Sequence, residues 1–138
     1  MISITITNRQ KSLGIDRRRM RRAVQAVVRD AGIAEAQIGI AVVDDPTIAE
    51  LHARYMNDRA PTDVLSFMLE RSDQSLEGEI VVSADTAIAS APEYGVTAGE
   101  ELLLYVIHGA LHLVGYNDIA PRQRAIMRSQ EKKYLDGE

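Results

Sequence analysis

The opening of the chain alternates apolar and polar residues. Ile2, Ile4 and Ile6 are separated by Ser3 and Thr5, and a period of two is typical of a β-strand with one buried face. A secretory signal would need a basic segment followed by a continuous apolar run, and this segment has neither. We therefore predict a strand over residues 1–8.

A helical period follows this strand. Apolar residues recur at spacings of three and four from Met20 through Val24 and Val27, which places them on one side of a helix. Asp16 precedes the pattern and belongs to a residue type that caps helix N-termini, while Gly32 stops it. The prediction is a helix between Asp16 and Gly32 that carries most of its arginines opposite the apolar side.

The rest of the chain divides into short strands and longer helical segments. The polar stretch RSDQSLEG, residues 71–78, predicts a loop, and Asp45 with Pro46 predicts a helix start with Asp45 as the cap. Strands and helices that do not strictly alternate favour an α+β fold, here a single domain with a small mixed four-stranded sheet covered by about five helices. Further strands are predicted over 38–42, 64–67 and 80–82, and further helices over 45–55, 84–94, 98–114 and 121–135.

Composition limits the classes of protein that this chain can belong to. With 138 residues, 46% of them hydrophobic, it is long enough for one domain with a real core, and we expect that domain to span residues 1–138. The absence of cysteine excludes a disulfide framework and thiolate metal ligands, so a metal would have to be held by His, Asp or Glu. No run approaches the roughly 18 apolar residues of a membrane span, and a cytoplasmic protein without a membrane partner is the expectation.

The charge is unevenly distributed. Residues 1–29 contain eight Arg and Lys residues and one Asp, a net charge of +7. Residues 30–118 contain three arginines and sixteen acidic residues, a net charge of −13. Residues 119–138 add +2, which gives the total of −4. A basic segment in an acidic protein is typical of a surface that contacts nucleic acid. A solvated helix face with no partner is the alternative, and the sequence leaves both open.

Two of the three histidines lie in the stretch HGALHLVGYND, residues 108–118. His108 and His112 are four residues apart on a strongly predicted helix, so their side chains project from one face with Cβ atoms about 6 Å apart. Gly115 suits a left-handed residue that ends the helix and turns the chain back. That turn brings Asn117 and Asp118 towards the two rings, and the carboxylate of Asp118 is a better third ligand than the amide of Asn117.

Two histidines and one carboxylate form a recurrent catalytic zinc set, in which a fourth position is kept for water or substrate. Zinc in such a set makes water more acidic and polarises a phosphoryl or carbonyl oxygen. The sequence therefore predicts a zinc site at the end of the central helix, formed by His108, His112 and Asp118. The alternative is a pair of structural histidines whose ring nitrogens bond to the backbone or to neighbouring carboxylates.

The same stretch resembles the H-G-x-L-H-L-x-G-Y-D-H signature of the YbeY family, bacterial metal-dependent endoribonucleases of ribosomal RNA maturation and ribosome quality control. Residues 61–67, PTDVLSF, resemble the second motif of that family, and residues 77–83, EGEIVVS, are similar to its L-G-D-I-x-I-S segment. Met127 and Glu131 stand where the last helix of the family has M-x3-E. The resemblance extends over most of the chain.

This resemblance implies an α+β fold with the metal at the floor of a cleft near the central helix. It also implies an RNA substrate, cut by zinc-dependent phosphodiester hydrolysis in single-stranded segments, and a role at the 3′ end of 16S ribosomal RNA with the small ribosomal subunit as partner. Zinc would act there as a Lewis acid, and a nearby cation would stabilise charge on the transition state. The arginine-rich first helix agrees with such a substrate.

Three departures from the family pattern affect the expected site. Asp118 stands at the third metal-binding His and Asn117 at the Asp before it, which lowers the charge of a zinc centre from about +2 to about +1 and makes its water less acidic. Met56 stands where the family usually has an arginine implicated in activity, and Arg59 is the nearest arginine that could replace it. Glu79 takes the place of the aspartate of L-G-D-I, which is a milder change.

Two other functions remain open at this point. H-x3-H-x2-G-x2-D resembles the zinc-binding arrangement of metzincin peptidases, but those enzymes carry a glutamate base directly after the first His, where this chain has Gly109. The other is a non-catalytic, ribosome-associated RNA-binding protein that keeps the fold, and Met56 and Asp118 both favour it. Asp63 and Ser66 of the second motif are candidates for substrate contact or for turn and strand-end hydrogen bonds.

We predict that Arg59 supplies the cation that stabilises the transition state. The Arg59→Ala variant should then cleave RNA at a lower rate, while its zinc content stays that of the unchanged protein, because a guanidinium is not a zinc ligand. The cleavage rate and the zinc content are measured on the same preparation. Unchanged cleavage would remove Arg59 from the mechanism.

Overall fold

In the computed structural model, which describes residues 1–56 and 63–137, four strands form one mixed sheet. The strands are β1 (Ile2–Asn8), β2 (Glu35–Val43), β3 (Val64–Arg71) and β4 (Ser75–Ser83). Their order across the sheet is β1-β2-β4-β3, so β1 and β3 form its two edges. β2 pairs in parallel with both β1 and β4, whereas β3 pairs antiparallel with β4.

Five helices belong to the described part of the chain, and the fourth is central. They are α1 (Arg17–Asp30), α2 (Asp45–Met56), α3 (Ala84–Tyr94), α4 (Ala98–Leu113) and α5 (Pro121–Leu135). α4 contacts β3 and β4 of the sheet and also α1, α3 and α5. The predicted α+β class, with helices around a mixed four-stranded sheet, is confirmed. None of these helices combines the length and the apolar character that a membrane crossing requires.

The main core lies between the sheet and helices α1 and α4. Ile38 and Ile40 of β2, Val24 of α1, and Leu102 and Ile107 of α4 are at most 2% exposed. Each buried side chain of this size contributes about 1.5–3 kcal/mol relative to an exposed one, so α4 is fastened to the sheet mainly by apolar burial. Alternation along the strands places a smaller apolar cluster on the other face, beneath α2. This second cluster consists of Val43, Ile48, Leu65 and Val81.

Hydrogen bonds at the helix starts confirm one predicted cap and correct another. The carboxylate of Asp16 accepts from the backbone N–H of Arg19 at 3.1 Å, as predicted for α1. α2 is capped by Asp44, which accepts from the N–H of Thr47 at 2.9 Å, and the prediction of Asp45 as the cap was wrong. Asp45 is the first helical residue, and its carboxylate accepts instead from two hydroxyl groups at the start of α3.

The predicted loop over 71–78 is also wrong, because most of it is strand. β3 extends to Arg71 and β4 begins at Ser75, so only residues 72–74 form the turn, which the N–H of Ser72 closes by donating to the carbonyl of Ser75 at 2.9 Å. β4 has hydrogen-bonded strands on both sides. This pairing outweighs the polar composition of the segment, since strand preference depends strongly on the neighbouring strands.

Two glycines let α4 approach the sheet closely. A Cβ added to Gly109 of α4 would lie 2.7 Å from Cγ2 of Ile80 and 3.1 Å from Cγ2 of Val64, which is too close for carbon atoms. Leu113, one turn further along α4, lies over Gly78 of β4. A Cβ added to Gly78 would be 3.0 Å from the methyl groups of Leu113. The spacing between this part of α4 and the sheet therefore depends on residues that have no side chain.

Gly109→Ala is expected to destabilise the fold. Alanine is preferred over glycine in a helix interior by about 0.8–1.0 kcal/mol, but overpacking a close contact costs about 1–3 kcal/mol, and Ile80 is fully buried. We expect a net loss of about 1–2 kcal/mol in the free energy of unfolding. In a domain of this size, thermal unfolding should show a Tm lower by roughly 3–8 °C.

Gly99→Ala is the matched control on the same helix, because its added Cβ would meet only Oγ1 of Thr97 at 3.9 Å. That variant should keep or raise the Tm, since alanine is the better helix former and nothing opposes it. A Tm for Gly109→Ala that equals or exceeds that of the unchanged protein would show that the contact with Ile80 can relax at no cost.

Candidate metal centre

The end of α4 and the turn after it bring three possible metal ligands together. His108 and His112 project from the same face of α4, and their Nε2 atoms are 3.0 Å apart. The helix then ends, and Gly115 follows with a φ of +114°, a backbone conformation that favours glycine. The N–H of Tyr116 donates to the carbonyl of Leu111 at 3.0 Å, which closes the turn. The reversal predicted at Gly115 is therefore present.

Asp118 follows in the same turn, and its carboxylate lies near both rings. Oδ2 of Asp118 is 3.6 Å from Nε2 of His108, and Oδ1 is 3.9 Å from Nε2 of His112. The side-chain oxygen of Asn117 is engaged in its own loop, where it accepts from the N–H of Ile119 at 3.2 Å. The structure thus brings His108, His112 and Asp118 together, with one ligand atom of each within 4.8 Å of the others.

Arg124 of α5 holds the turn that carries Asp118. Its guanidinium donates to the carbonyl of Ile119 at 2.8 Å and to that of Asp118 at 3.4 Å. In the same turn the side-chain oxygen of Gln123 accepts from the N–H of Ala120 at 3.1 Å. The first turn of α5 and the turn before it form one hydrogen-bonded unit, so the position of the Asp118 carboxylate depends on α5.

The geometry of these three groups fits a tetrahedral divalent cation. Zinc binds imidazole nitrogen at about 2.0–2.1 Å and carboxylate oxygen at about 2.0–2.2 Å, so neighbouring ligand atoms of a tetrahedral site lie roughly 3.3–3.6 Å apart. The two Nε2 atoms are 3.0 Å apart, and Asp118 lies 3.6 Å from His108 through Oδ2 and 3.9 Å from His112 through Oδ1. A small rotation of the Asp118 carboxylate would therefore direct one oxygen at a cation shared with both rings. The side chains of His108, His112 and Asp118 are 21%, 32% and 45% exposed, which leaves room for a fourth ligand on the solvent side.

Glu131 of α5 lies against the other nitrogen of the first histidine. Its Oε2 is 2.5 Å from Nδ1 of His108. An ionised carboxylate only accepts hydrogen bonds, so Nδ1 must donate, and in the neutral ring the lone pair is then on Nε2, the atom that faces the other two groups. Carboxylates in this position orient metal-binding histidines in many proteins. Glu131 therefore fixes both the orientation of the His108 ring and the nitrogen that is free to bind a cation.

The two imidazoles have pKa values displaced in opposite directions. Burial disfavours the charged ring of His108, but the hydrogen bond and charge of Glu131, together with Asp118 and Asp63, raise its pKa above the usual value. Burial and then the neighbouring His108 lower the pKa of His112. Near neutral pH, His112 therefore presents an unprotonated nitrogen, whereas His108 holds its proton more strongly until a cation competes for Nε2.

A cleft opens from these residues towards the edge strand β3. His108 and His112 line it together with Asp63, Ser66 and apolar side chains of β3. The hydroxyl of Ser66 donates to the carbonyl of Gly109 at 3.1 Å. Ser66 thus links β3 to α4 beside the first histidine, which is the strand-end hydrogen bond considered from the sequence, while Asp63 remains a candidate for substrate contact.

Part of the second motif and the residues before it are not among the described residues. Arg59 and the side chain of Met56 lie outside the described residues, as does the Pro61–Thr62 pair at the start of the second motif. The catalytic role of Arg59 stays a prediction.

Sequence reasoning noted Glu131 within a motif but did not assign it a role. A signal was available in the periodicity of α5. Met127 and Tyr134 are both buried, and Glu131 lies between them at spacings of four and three on the same helix face. A carboxylate on the apolar side of a helix needs a partner, because an unpaired buried charge is costly. Only the packing of α5 against α4 identifies that partner as His108.

The chain is similar to known proteins over nearly its whole length. Residues 5–137 match the family model described as endoribonuclease YbeY. This chain belongs to the YbeY family. The endoribonuclease YbeY of Syntrophus aciditrophicus is 37% identical over 139 residues, which cover 96% of this chain and 87% of that protein. The endoribonuclease YbeY of Moorella thermoacetica is 36% identical over 130 residues, which cover 86% of this chain and 83% of that protein.

A solved structure supports the same fold. The solution structure of TM1509 from Thermotoga maritima matches with a TM-score of 0.67 at 28% identity, covering 96% of this chain and 87% of that one. Membership of the YbeY family classes the chain as an RNA-cleaving hydrolase. The peptidase alternative has a steric obstacle as well, because a glutamate in place of Gly109 would put its Cβ 2.7 Å from Ile80 and 3.0 Å from Ser66.

We predict that Glu131→Gln weakens zinc binding about 10–100-fold, the range typical of removing such an outer partner. The amide has the size of the carboxylate but not its charge, so it holds the proton of Nδ1 less strongly. The dissociation constant is measured by competition with a chromophoric chelator. Asp136→Asn, which removes an exposed carboxylate just beyond the same helix, should bind zinc as the unchanged protein does. Equal affinity in Glu131→Gln and Asp136→Asn would show that Glu131 does not act on the metal.

Proposed function

We propose that this chain is a zinc-dependent endoribonuclease and that residues 1–138 form a single metallohydrolase domain with one zinc ion bound by His108, His112 and Asp118. The supporting observation is the convergence of three ligand atoms within 4.8 Å beside a cleft, in a chain of an endoribonuclease family. A pair of purely structural histidines would not need Asp118 to turn back towards both rings, nor would it stay open to solvent on that side.

Zinc suits this donor set better than other common divalent cations. Two imidazole nitrogens and one carboxylate oxygen form a ligand set that zinc accepts in tetrahedral geometry, whereas calcium and magnesium prefer six or more oxygen ligands. When bound, zinc would polarise a phosphoryl oxygen of the substrate and increase the acidity of water.

The remaining work of the site falls to side chains of this chain. Glu131 keeps Nε2 of His108 directed at the cation, and Arg124 holds the turn that presents Asp118. The cleft along β3 gives an RNA strand access to the exposed side of the centre. Arg59 is the cation that we expect beside the scissile phosphate, where positive charge stabilises the transition state of phosphodiester hydrolysis.

We further propose ribosomal RNA as the substrate. The three motifs that resemble the family, residues 61–67, 77–83 and 108–118, support a role at the 3′ end of 16S ribosomal RNA, in the cytoplasm, with the small ribosomal subunit as partner and ribosome quality control as the wider process. The extra negative charge of Asp118 makes water near the cation less acidic than a third histidine would. We therefore expect cleavage to be slower than with three histidines.

The experiment compares the zinc-loaded protein with its His112→Ala variant on a structured RNA and on casein. We expect the unchanged protein to cut RNA and the variant to cut it more than about 100-fold more slowly. Removing a metal ligand should cost more than removing a residue that only hydrogen-bonds to a ligand. Neither protein should cut casein. His52→Ala, which removes the third histidine of the chain, is the control and should keep both RNA cleavage and one zinc ion per chain.

Each contrary result points to a different function. RNA cleavage at the same rate by His112→Ala would exclude the metal mechanism. Cleavage of casein that depends on His112 would favour a peptidase. A zinc-loaded protein that binds RNA and cuts neither substrate would favour the non-catalytic RNA-binding function.

A further inference from the structure

The exposed side of α1 carries a row of arginines. Arg18, Arg22 and Arg29 are exposed and lie four and seven residues apart, so they share one side of the helix over about 16 Å at 1.5 Å per residue. Arg19 lies beside them and is also exposed. We call these four residues the arginine face. The protein as a whole has a net charge of −4, so the positive charge is concentrated on this side of α1.

The carboxylates nearest to the arginine face are committed to other hydrogen bonds. Asp16 accepts from the first turn of α1, Glu100 completes the capping box of α4, and Asp30 accepts from the hydroxyl of Tyr134 at 2.8 Å. Among the described residues, no carboxylate lies within 4.0 Å of the guanidinium of Arg18, Arg22 or Arg29. Carboxylates in the described part of the chain therefore offset the positive charge of this surface only from a distance, with no ion pair to Arg18, Arg22 or Arg29.

The other arginines of α1 behave differently. Arg17 donates to the carbonyl of Ile6 at 2.7 Å, and Arg21 donates to the carbonyl of Ile4 at 3.3 Å. Both carbonyls belong to β1, an edge strand of the sheet. These two side chains contribute to the fold, as does Arg19, which donates to the carbonyl of Leu135 at 3.3 Å. Within the residues that the structure describes, Arg18, Arg22 and Arg29 have no such structural role.

The arginine face borders a groove between α1, α4 and the end of α5. The four arginines line it, and the groove has a volume of about 340 Å³. The rest of its lining comprises one carboxylate, one tyrosine, one glycine and three apolar residues: Asp16, Tyr134, Gly137, Ala23, Ala26 and Leu103. Guanidinium groups around a small apolar floor suit a sugar–phosphate chain, because arginine forms two parallel hydrogen bonds to phosphate oxygens and the sugar needs little polar contact. The chemistry of this surface is that of phosphate recognition without base recognition.

We propose that the arginine face is a docking surface for the phosphate backbone of the RNA substrate, separate from the metal centre; this rests on the proposed function. α1 contacts the β1 edge of the sheet, whereas the cleft of the metal centre runs along β3 at the opposite edge. The RNA segment held by α1 is therefore not the segment that is cut. Docking on the arginine face would raise the affinity of the protein for a large folded RNA but would not change the rate of the chemical step.

An RNA fits this surface better than a lipid membrane does. A helix that lies on a membrane inserts its apolar side into the lipid, but the apolar side of α1 is in the core, with Val24, Val27 and Val28 at most 1% exposed. Among the described residues, the exposed large hydrophobic side chains do not include any from α1. Only the charged side of the helix is available to a partner.

The test replaces Arg18, Arg22 and Arg29 by Gln in one variant and measures binding of a structured RNA by fluorescence anisotropy, without metal and at several salt concentrations. We expect the dissociation constant to rise at least 10-fold at about 100 mM salt. The slope of log affinity against log salt should fall by about 2–3, since each phosphate contact contributes about 0.7–0.9. With zinc and saturating RNA, the cleavage rate should stay within twofold of the unchanged protein.

The matched control is the triple variant Arg54→Gln, Arg71→Gln, Lys132→Gln, which removes the same charge from exposed residues elsewhere. Its RNA affinity should change less than threefold. Both variants should keep a Tm close to that of the unchanged protein, because the altered side chains are exposed. The carbonyls that Arg71 contacts, those of Ser72 and Ser75, belong to a turn that a backbone hydrogen bond already closes.

Three results would overturn the proposal. An equal loss of affinity in the two triple variants would show that net charge alone matters. Unchanged RNA affinity in the Arg18, Arg22, Arg29 variant would show that this surface does not bind RNA. That result would leave the metal-dependent cleavage untouched, because the His112→Ala variant tests it separately. Binding to phosphatidylglycerol vesicles that needs the three arginines and exceeds binding to RNA would assign the surface to a membrane.

Discussion

The close approach of α4 to the sheet is the contact on which the rest of the structure depends. Gly109 lies directly against Ile80 and Val64, and the carbonyl of the same glycine accepts the hydroxyl of Ser66 from β3. A larger residue would move the helix outward and take His108, the preceding residue, away from the cleft. α5 packs on α4 in turn, so the placement of Glu131 against His108 also follows from this spacing.

The two carboxylates of the centre act on opposite sides of one imidazole. Asp118 approaches Nε2 of His108 from the solvent side, while Glu131 holds Nδ1 from within. Together their formal charges equal that of a divalent cation, which favours keeping such a cation in a half-buried place where an unbalanced charge would be costly. A histidine at position 118 would remove one of these two negative charges from the centre. An aspartate at this position would therefore favour retention of a bound divalent cation and would reduce the power of that cation to polarise its other ligands.

Local patterns in the sequence account for much of this arrangement. The spacing of His108 and His112 determined that they share a helix face, and Gly115 indicated the reversal that brings Asp118 back to them. The same reasoning failed where distant chain segments decide. β4 begins at Ser75 because it pairs with strands on both sides, and no pattern within residues 71–78 reports that pairing. Glu131 is similar, since its partner lies 23 residues away on another helix. Asp44 rather than Asp45 caps α2 because the carboxylate of Asp44 is the one that accepts from the backbone N–H of Thr47.

Helix α1 shows how one amphipathic segment can serve the fold and a partner at once. Its apolar side, with Val24 and Val28, covers the sheet, and Arg17 and Arg21 satisfy carbonyl groups on the open edge of β1 that would otherwise face another chain. These tasks use residues on the sheet side of the helix only. The solvent side contributes little to stability beyond the hydrogen bond of Arg19 to the carbonyl of Leu135, since exposed charges without partners contribute little to it. A row of arginines placed there costs the fold almost nothing, and it concentrates positive charge on one side of a protein whose net charge is −4.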